Sequence, residues 1–256
     1  MDEVHATNME MNERALRRDV GQICRLLYQK NFVPATDGNV SVRWGDRYLI
    51  TTPSGVCKGL IRAADLVVTD LNGAPVLEHN DAANPRRPSS ELRMHLEIYR
   101  RRPDVRAVVH AHPAITTALT VAGVSLLPCI LPETLVNLGS IATTAYATPT
   151  TEAVPVVVGD LIEDHDALVL DRHGAVTVGA TLMEAYTRME KVEDTAQVIM
   201  TARMLGRVQT LPIDEVRRLG AKRDALLGPE RHFAGPDCAQ CGACEGLPEI
   251  DRGQRR

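Results

Sequence analysis

The chain has 256 residues, enough to bury a sizeable core without staples. Its 29 lysines and arginines against 33 aspartates and glutamates leave a net charge of −4 without any basic block, which argues against a nucleic-acid or anionic-membrane binder. Hydrophobic residues make up 44% and aromatics 3%, a globular composition that lacks the stacking platform of a single-strand binder.

Residues 1–18 are polar, with no signal-peptide apolar core. Residues 11–30 predict a first helix, because Leu16, Val20, Ile23 and Leu27 recur on one face. Residues 31–38 read as a loop. Residues 40–44 and 48–52 read as a hairpin around Gly45-Asp46, and residues 66–69 and 75–77 as a second hairpin around Asn72-Gly73. Residues 90–101 predict a helix, 105–110 a β-branched strand and 114–121 a helix behind it. Residues 167–170 and 175–178 flank His173-Gly174 as a third hairpin. Residues 182–205 predict a long helix with Leu182, Tyr186, Met189, Val192, Ala196 and Ile199 on one face. A final helix follows at 213–227. Hairpins mixed with helices predict an α/β fold, a mixed and largely antiparallel sheet covered by helices. No apolar run approaches the ~20 residues of a membrane span, so a cytoplasmic protein is expected.

From Gly228 the composition changes: the last 29 residues hold five glycines and three prolines. The reading is a catalytic domain over 1–227 and a tail over 228–256. His232, Cys238, Cys241 and Cys244 fall in that tail with the spacing of a Cys₃His zinc set, but without a second Cys-x2-Cys pair. Cys24, Cys57 and Cys129 are scattered, so no disulfide framework is present.

His110-Ala111-His112 ends a predicted strand. Strand residues two apart project to the same face, so two imidazoles can reach one ion. His173, at a hairpin tip, offers a third. Three neutral imidazoles with an open position suit a catalytic zinc, although a lone His-x-His is more often a pair of ordinary histidines. Upstream stand Pro88-Ser89-Ser90-Glu91-Leu92-Arg93-Met94-His95 and the loops Thr36-Asp37-Gly38-Asn39-Val40-Ser41 and Thr52-Pro53-Ser54-Gly55. Downstream stand Pro132-Glu133, Tyr146-Ala147-Thr148-Pro149 and Arg172-His173-Gly174. In this order the motifs resemble the class II aldolase/adducin family over roughly residues 11–206.

The resemblance implies a three-layer class II aldolase-type fold and a divalent metal, usually Zn²⁺ with Mn²⁺ or Co²⁺ as substitutes, on His110, His112 and His173. Glu91 then lies beside the metal as acid/base. Taken alone, it is equally a helix-start carboxylate favoured by the helix dipole. The resemblance also implies a phosphate pocket from Gly38, Asn39, Ser54, Gly55, Ser89 and Ser90, whose hydroxyls, amide and turn N–H groups form an anion cradle without any lysine. No tyrosine stands after the His-x-His segment, where fuculose-phosphate-type members carry one. Glu133 stands there instead, with Tyr146 as the lesser candidate for the second acid/base. The implied activity is cleavage of a phosphorylated ketose to dihydroxyacetone phosphate and an aldehyde, in a homotetramer. The ketose is a 5-deoxy- or 5-methylthio-ribulose 1-phosphate, or fuculose 1-phosphate. The same resemblance admits a methylthioribulose-phosphate dehydratase, a pentulose-phosphate 4-epimerase or a non-catalytic adducin-like interaction module.

Overall fold

The computed structural model describes residues 2–83, 85–126 and 129–227. Along them run α1 (Asp2–Gln29), β1 (Asn39–Trp44), β2 (Tyr48–Thr51), β3 (Val67–Asp70), α2 (Leu92–Arg101), β4 (Ala107–Ala111) and α3 (Ala114–Val121). Then follow α4 (Pro132–Asn137), β5 (Ala142–Thr143), α5 (Ala153–Ile162), β6 (Ala167–Leu170), β7 (Gly174–Gly179), α6 (Leu182–Leu205) and α7 (Ile213–Leu227). The strands form one sheet in the order β3-β2-β1-β4-β7-β6-β5. Every pairing is antiparallel except β5 with β6.

Alternation along the strands builds two apolar layers. Val40, Val42 and Trp44 of β1, Ala107, Val109 and Ala111 of β4, and Ala167 and Val169 of β6 face α1, α3 and α6. Val108, Leu168, Leu170, Val176 and Val178 face α2 and α5 on the other side. The sheet is thus the middle of three layers, as expected. On α1, Val20, Ile23 and Leu27 are buried with Leu16 packed beside them, and all six predicted face residues of α6 are buried. Thr181 caps α6 by accepting from the Glu184 N–H at 3.1 Å.

The structure differs from the sequence expectation in three respects. Helix α1 extends upstream to Asp2. Residues 75–77 do not form a strand: Pro75 makes a single bridge to Thr69, and the chain then turns into the 3₁₀ segment Leu77–His79. Proline has no N–H for a ladder, and the Asn80 side chain closes the Val68 edge instead, accepting at 2.8 Å and donating at 2.9 Å. Helices α4 and α5 and the short β5 are additional elements. The Val-rich run of α5 reads locally as strand, but Val154, Val158 and Ile162 recur every four residues and bury against α2. Pro155 sits in the first turn of α5, where no intrahelical partner is lost.

Below the sheet, fully buried Asp166 holds Arg102 at 2.9 Å and Arg188 at 2.7 Å, tying the end of α2 to the start of β6 and to α6. No helix among the described residues is long and apolar enough to cross a membrane. The tail from Gly228, with His232, Cys238, Cys241 and Cys244, lies outside the described residues.

Candidate active site

Sheet register assembles the site. In the ladder, Asn39 at the start of β1 lies opposite His110 near the end of β4, and His110 lies opposite Val176 near the start of β7. His112 follows β4, and His173 directly precedes β7. His110 has the parity of Val108 and faces the α2 layer, while its neighbours Val109 and Ala111 serve the opposite core.

Glu91 is the N-cap of α2, yet its side chain does not cap that helix. The Ser89 hydroxyl accepts from the N–H of Glu91 itself at 3.3 Å, just before the helix begins. The Glu91 carboxylate turns to the histidines instead: Oε2 lies 3.3 Å from His110 Nε2, and Oε1 lies 3.2 Å from His173 Nε2. The Asn39 amide donates to Oε2 at 2.8 Å. The three imidazole rings stand 4.8–4.9 Å apart, and one ligand atom from each of Glu91, His110, His112 and His173 lies within 4.8 Å of the others.

The ring nitrogens show that this set fits a cation. His110 donates from Nδ1 to the Ala175 carbonyl at 2.9 Å, which leaves Nε2 bare in the neutral ring. His112 presents Nδ1 to Asp37 at 3.2 Å, so its proton belongs there. The two Nε2 atoms then face each other at 3.0 Å, lone pair to lone pair. A divalent cation shared by those lone pairs, His173 and the Glu91 carboxylate removes the repulsion, and the N₃O donor set suits zinc and its first-row neighbours. Burial, followed by repulsion from His110 and His173, pushes the His112 pKa down to about 3, which keeps the ring in its ligating neutral form.

The residues expected to form an anion cradle come together beside this cluster. Thr52 is their common post: its N–H donates to the Val40 carbonyl at 3.0 Å, its hydroxyl accepts from the Val40 N–H at 3.2 Å, and its carbonyl accepts from the Ser89 N–H at 3.1 Å. A bridge between Pro53 and Pro88 lays the Ser54-Gly55 turn against the Ser89-Ser90 segment. Gly38 has φ +69°, and a Cβ there would strike the Val33 side chain and the His110 carbonyl, so glycine alone lets this loop pass so close to β4. Ser54, Gly55 and Ser90 are exposed and Ser89 is half-buried. Asn39 is buried, with Oδ1 lacking a partner.

Glu133, exposed in the first turn of α4, and Tyr146, exposed after β5, lie outside the metal-type cluster. Beyond His112 and His173, the cluster opens on a cleft of about 490 Å³ whose far wall is one face of α3: Ala114, Thr117, Ala118 and Val121.

Three contributors escape the sequence reading. Asp37 orients His112. Fully buried His95 bonds Ser41 at 2.7 Å beneath the site. Lys58, only 2% exposed, donates to the Thr36 and Val56 carbonyls at 2.7 and 3.0 Å. Its one sequence signal is position, a lysine inside the apolar stretch Val56-Cys57-Lys58-Gly59-Leu60 just after the Ser54-Gly55 turn.

The sequence model of the class II aldolase and adducin N-terminal domain matches residues 18–200. The chain is 37% identical over 177 residues to an L-fuculose phosphate aldolase of Methanococcus vannielii, covering 69% of this chain and 91% of that one. It is 33% identical over 205 residues to a 5-methylthioribulose-1-phosphate/5-deoxyribulose-1-phosphate aldolase of Rhodospirillum rubrum, covering 80% and 89%. It is 30% identical over 191 residues to a 3-oxo-tetronate 4-phosphate decarboxylase of Escherichia coli, covering 73% and 87%. Among solved structures, an L-fuculose 1-phosphate aldolase superposes with a TM-score of 0.72 at 29% identity, covering 80% of this chain and 94% of that one.

Proposed function

The chain belongs to the class II aldolase and adducin family, and on that premise we propose that it is a metal-dependent aldolase that cleaves a ketose 1-phosphate to dihydroxyacetone phosphate and an aldehyde. The observation that carries this reading is the convergence of Glu91 with His110, His112 and His173, four donors from three separate chain segments. An adducin-like scaffold has no need of a buried carboxylate among three imidazoles.

His110, His112 and His173, with Glu91 beside them, are the residues that would hold the metal, Zn²⁺ by preference. A metal bound there supplies Lewis-acid polarisation of the ketose carbonyl and the adjacent hydroxyl. Glu91 handles the proton on the carbon beside that carbonyl. Its ionised form abstracts this proton in the synthetic direction, and cleavage runs the same transfer in reverse. Asn39, donating to Oε2, fixes the carboxylate for the transfer. Gly38, Asn39, Ser54, Gly55, Ser89 and Ser90 bind the phosphate, far from the broken bond, and anchor the substrate for the step.

In cleavage the C3–C4 bond breaks, the C4 hydroxyl loses its proton and C3 gains one. We assign the C4 hydroxyl proton to Glu133, ahead of Tyr146. Both are exposed in the single chain, consistent with a homotetramer whose sites complete at subunit contacts. The apolar α3 wall of the open cleft favours a short apolar aldehyde substituent, as in 5-deoxy- and 5-methylthio-ribulose 1-phosphate. Residues 1–227 form the catalytic unit and 228–256 an appendage to it.

A coupled assay with glycerol-3-phosphate dehydrogenase, which consumes dihydroxyacetone phosphate, tests the reading on these two ketoses and on fuculose 1-phosphate. Dihydroxyacetone phosphate is the expected product. A diketone phosphate would make the enzyme a dehydratase. Carbon dioxide release from a 3-oxo-tetronate 4-phosphate, without aldol cleavage, would align it with the decarboxylase relative. Turnover of none of these would return the scaffold reading.

A further inference from the structure

The cradle described above is electrically neutral: hydroxyls, an amide and backbone N–H groups. Beneath it lies Lys58, on the 3₁₀ turn Lys58–Leu60. Its ammonium donates to the Thr36 carbonyl, in the loop that leads to Gly38-Asn39, and to the Val56 carbonyl, just after Ser54-Gly55. It therefore joins the two glycine-turn loops of the cradle to each other. Among the described residues no carboxylate forms an ion pair with it; Asp37 and Glu91 act on it only through space. An ammonium has three N–H donors, and two are spent on carbonyls. A buried cation without a paired anion is costly, and a phosphate entering the adjacent cradle is the counter-charge this arrangement lacks.

We infer that Lys58 is the buried cation of the phosphate site, a positioning residue that fixes both anion-binding loops and gives the neutral cradle its positive potential from behind. The inference rests on the reading that the substrate is phosphorylated. It goes beyond that reading by making Lys58 the determinant of preference for the phosphorylated over the free sugar.

Lys58→Met, which keeps length and removes charge, is compared with Lys58→Arg, which keeps charge, and with Lys58→Gln, which keeps an N–H donor. The readouts on metal-loaded protein are kcat and KM for the phosphorylated and the unphosphorylated ketose, inhibition by inorganic phosphate, and metal content. For Lys58→Met the expected result is a rise in KM for the phosphorylated ketose of roughly tenfold or more. The inhibition constant of phosphate should weaken in parallel and metal content should stay unchanged. Lys58→Arg should recover part of the phosphate preference and Lys58→Gln little of it. If Lys58→Met does not fold, the Arg and Gln pair decides by the same ratio. Equal losses on both sugars, or lost metal, would overturn the inference in favour of a structural role. A wild-type enzyme that shows no phosphate preference and no inhibition by phosphate would overturn the phosphate reading itself. A wild-type preference that the neutral variants retain would overturn only the role of Lys58.

Discussion

Gly174→Ala tests whether strand spacing sets the metal geometry. Gly174 follows His173 and starts β7. A Cβ at this position would collide with the Ala111 carbonyl, a backbone atom that cannot rotate away, and would come within 3.0 Å of His112 Cδ2. Ordinary contact begins near 3.4 Å, so β4 and β7 would have to part by about 1 Å at the seam that holds His112 and His173. Overpacking of this kind costs ~1–3 kcal/mol of stability, and a displacement of that size at a reacting centre costs ~10²-fold in rate. The substitution should therefore lower kcat by about two orders of magnitude while the protein stays folded, and it should lower metal retention in parallel. Elemental analysis after dialysis, the coupled cleavage assay and a denaturant melt report the three quantities. A Gly174→Ala protein with full metal content and kcat within about twofold of wild type would show that the close strand approach does not set the ligand positions.

Glu91→Gln should reduce kcat by ~10²–10⁴-fold and leave inhibition by inorganic phosphate intact, because the proton carrier is lost and the anchor is not; unchanged turnover would remove Glu91 from the chemistry. His95 is fully buried, and burial pushes its pKa down to about 3, below the ~6.5 of an unfolded histidine. Its neutral form therefore contributes stability that is complete above pH ~6.5 and is lost as pH falls toward 3, at up to ~1.4 kcal/mol per pH unit. Urea melts between pH 7 and 4 should show this slope, and His95→Gln should remove its share while that of His112 remains. Removal of residues 228–256 should leave the melting temperature of the core unchanged; a large drop in a thermal scan would show that the tail docks.

For α1 and α6 the sequence carried the reading. The spacing of Val20, Ile23 and Leu27, and of the six α6 residues, reports directly which side packs, and His110 and His112 converge because strand parity is a local property. Elements decided by tertiary packing were not legible. The valines of α5 favour a strand until α2 supplies a helical groove for them, and residues 75–77 read as a strand although Pro75 keeps only its bridge to Thr69 and the Asn80 side chain pairs with Val68. At the site, residue types were legible but directions were not. That the Glu91 side chain leaves its own helix start for the histidines depends on the partners that β1, β4 and the turn before β7 bring to it: Asn39, His110 and His173. Lys58 was invisible because a lysine is by default a surface residue, and only the fold shows two loop carbonyls closing around this one.

The parity of β4 has a further consequence. Within five residues the strand alternates between donors to the apolar core and a donor to the chemistry, so one hydrogen-bonding register serves both. A slip of a single residue would place His110 among the aliphatic side chains under α6 and turn Ala111 toward Glu91, with loss of fold and function in one event. Divergence of a site built this way is confined to what hangs from the sheet rather than the sheet itself. Substrate range can drift through the α3 wall, the Ser54-Gly55 turn and the α4 segment, while the centre of the sheet admits few substitutions. On the proposed aldolase reading, libraries aimed at new aldehydes should therefore diversify Thr117, Ala118 and Val121 and leave residues 107–112 untouched.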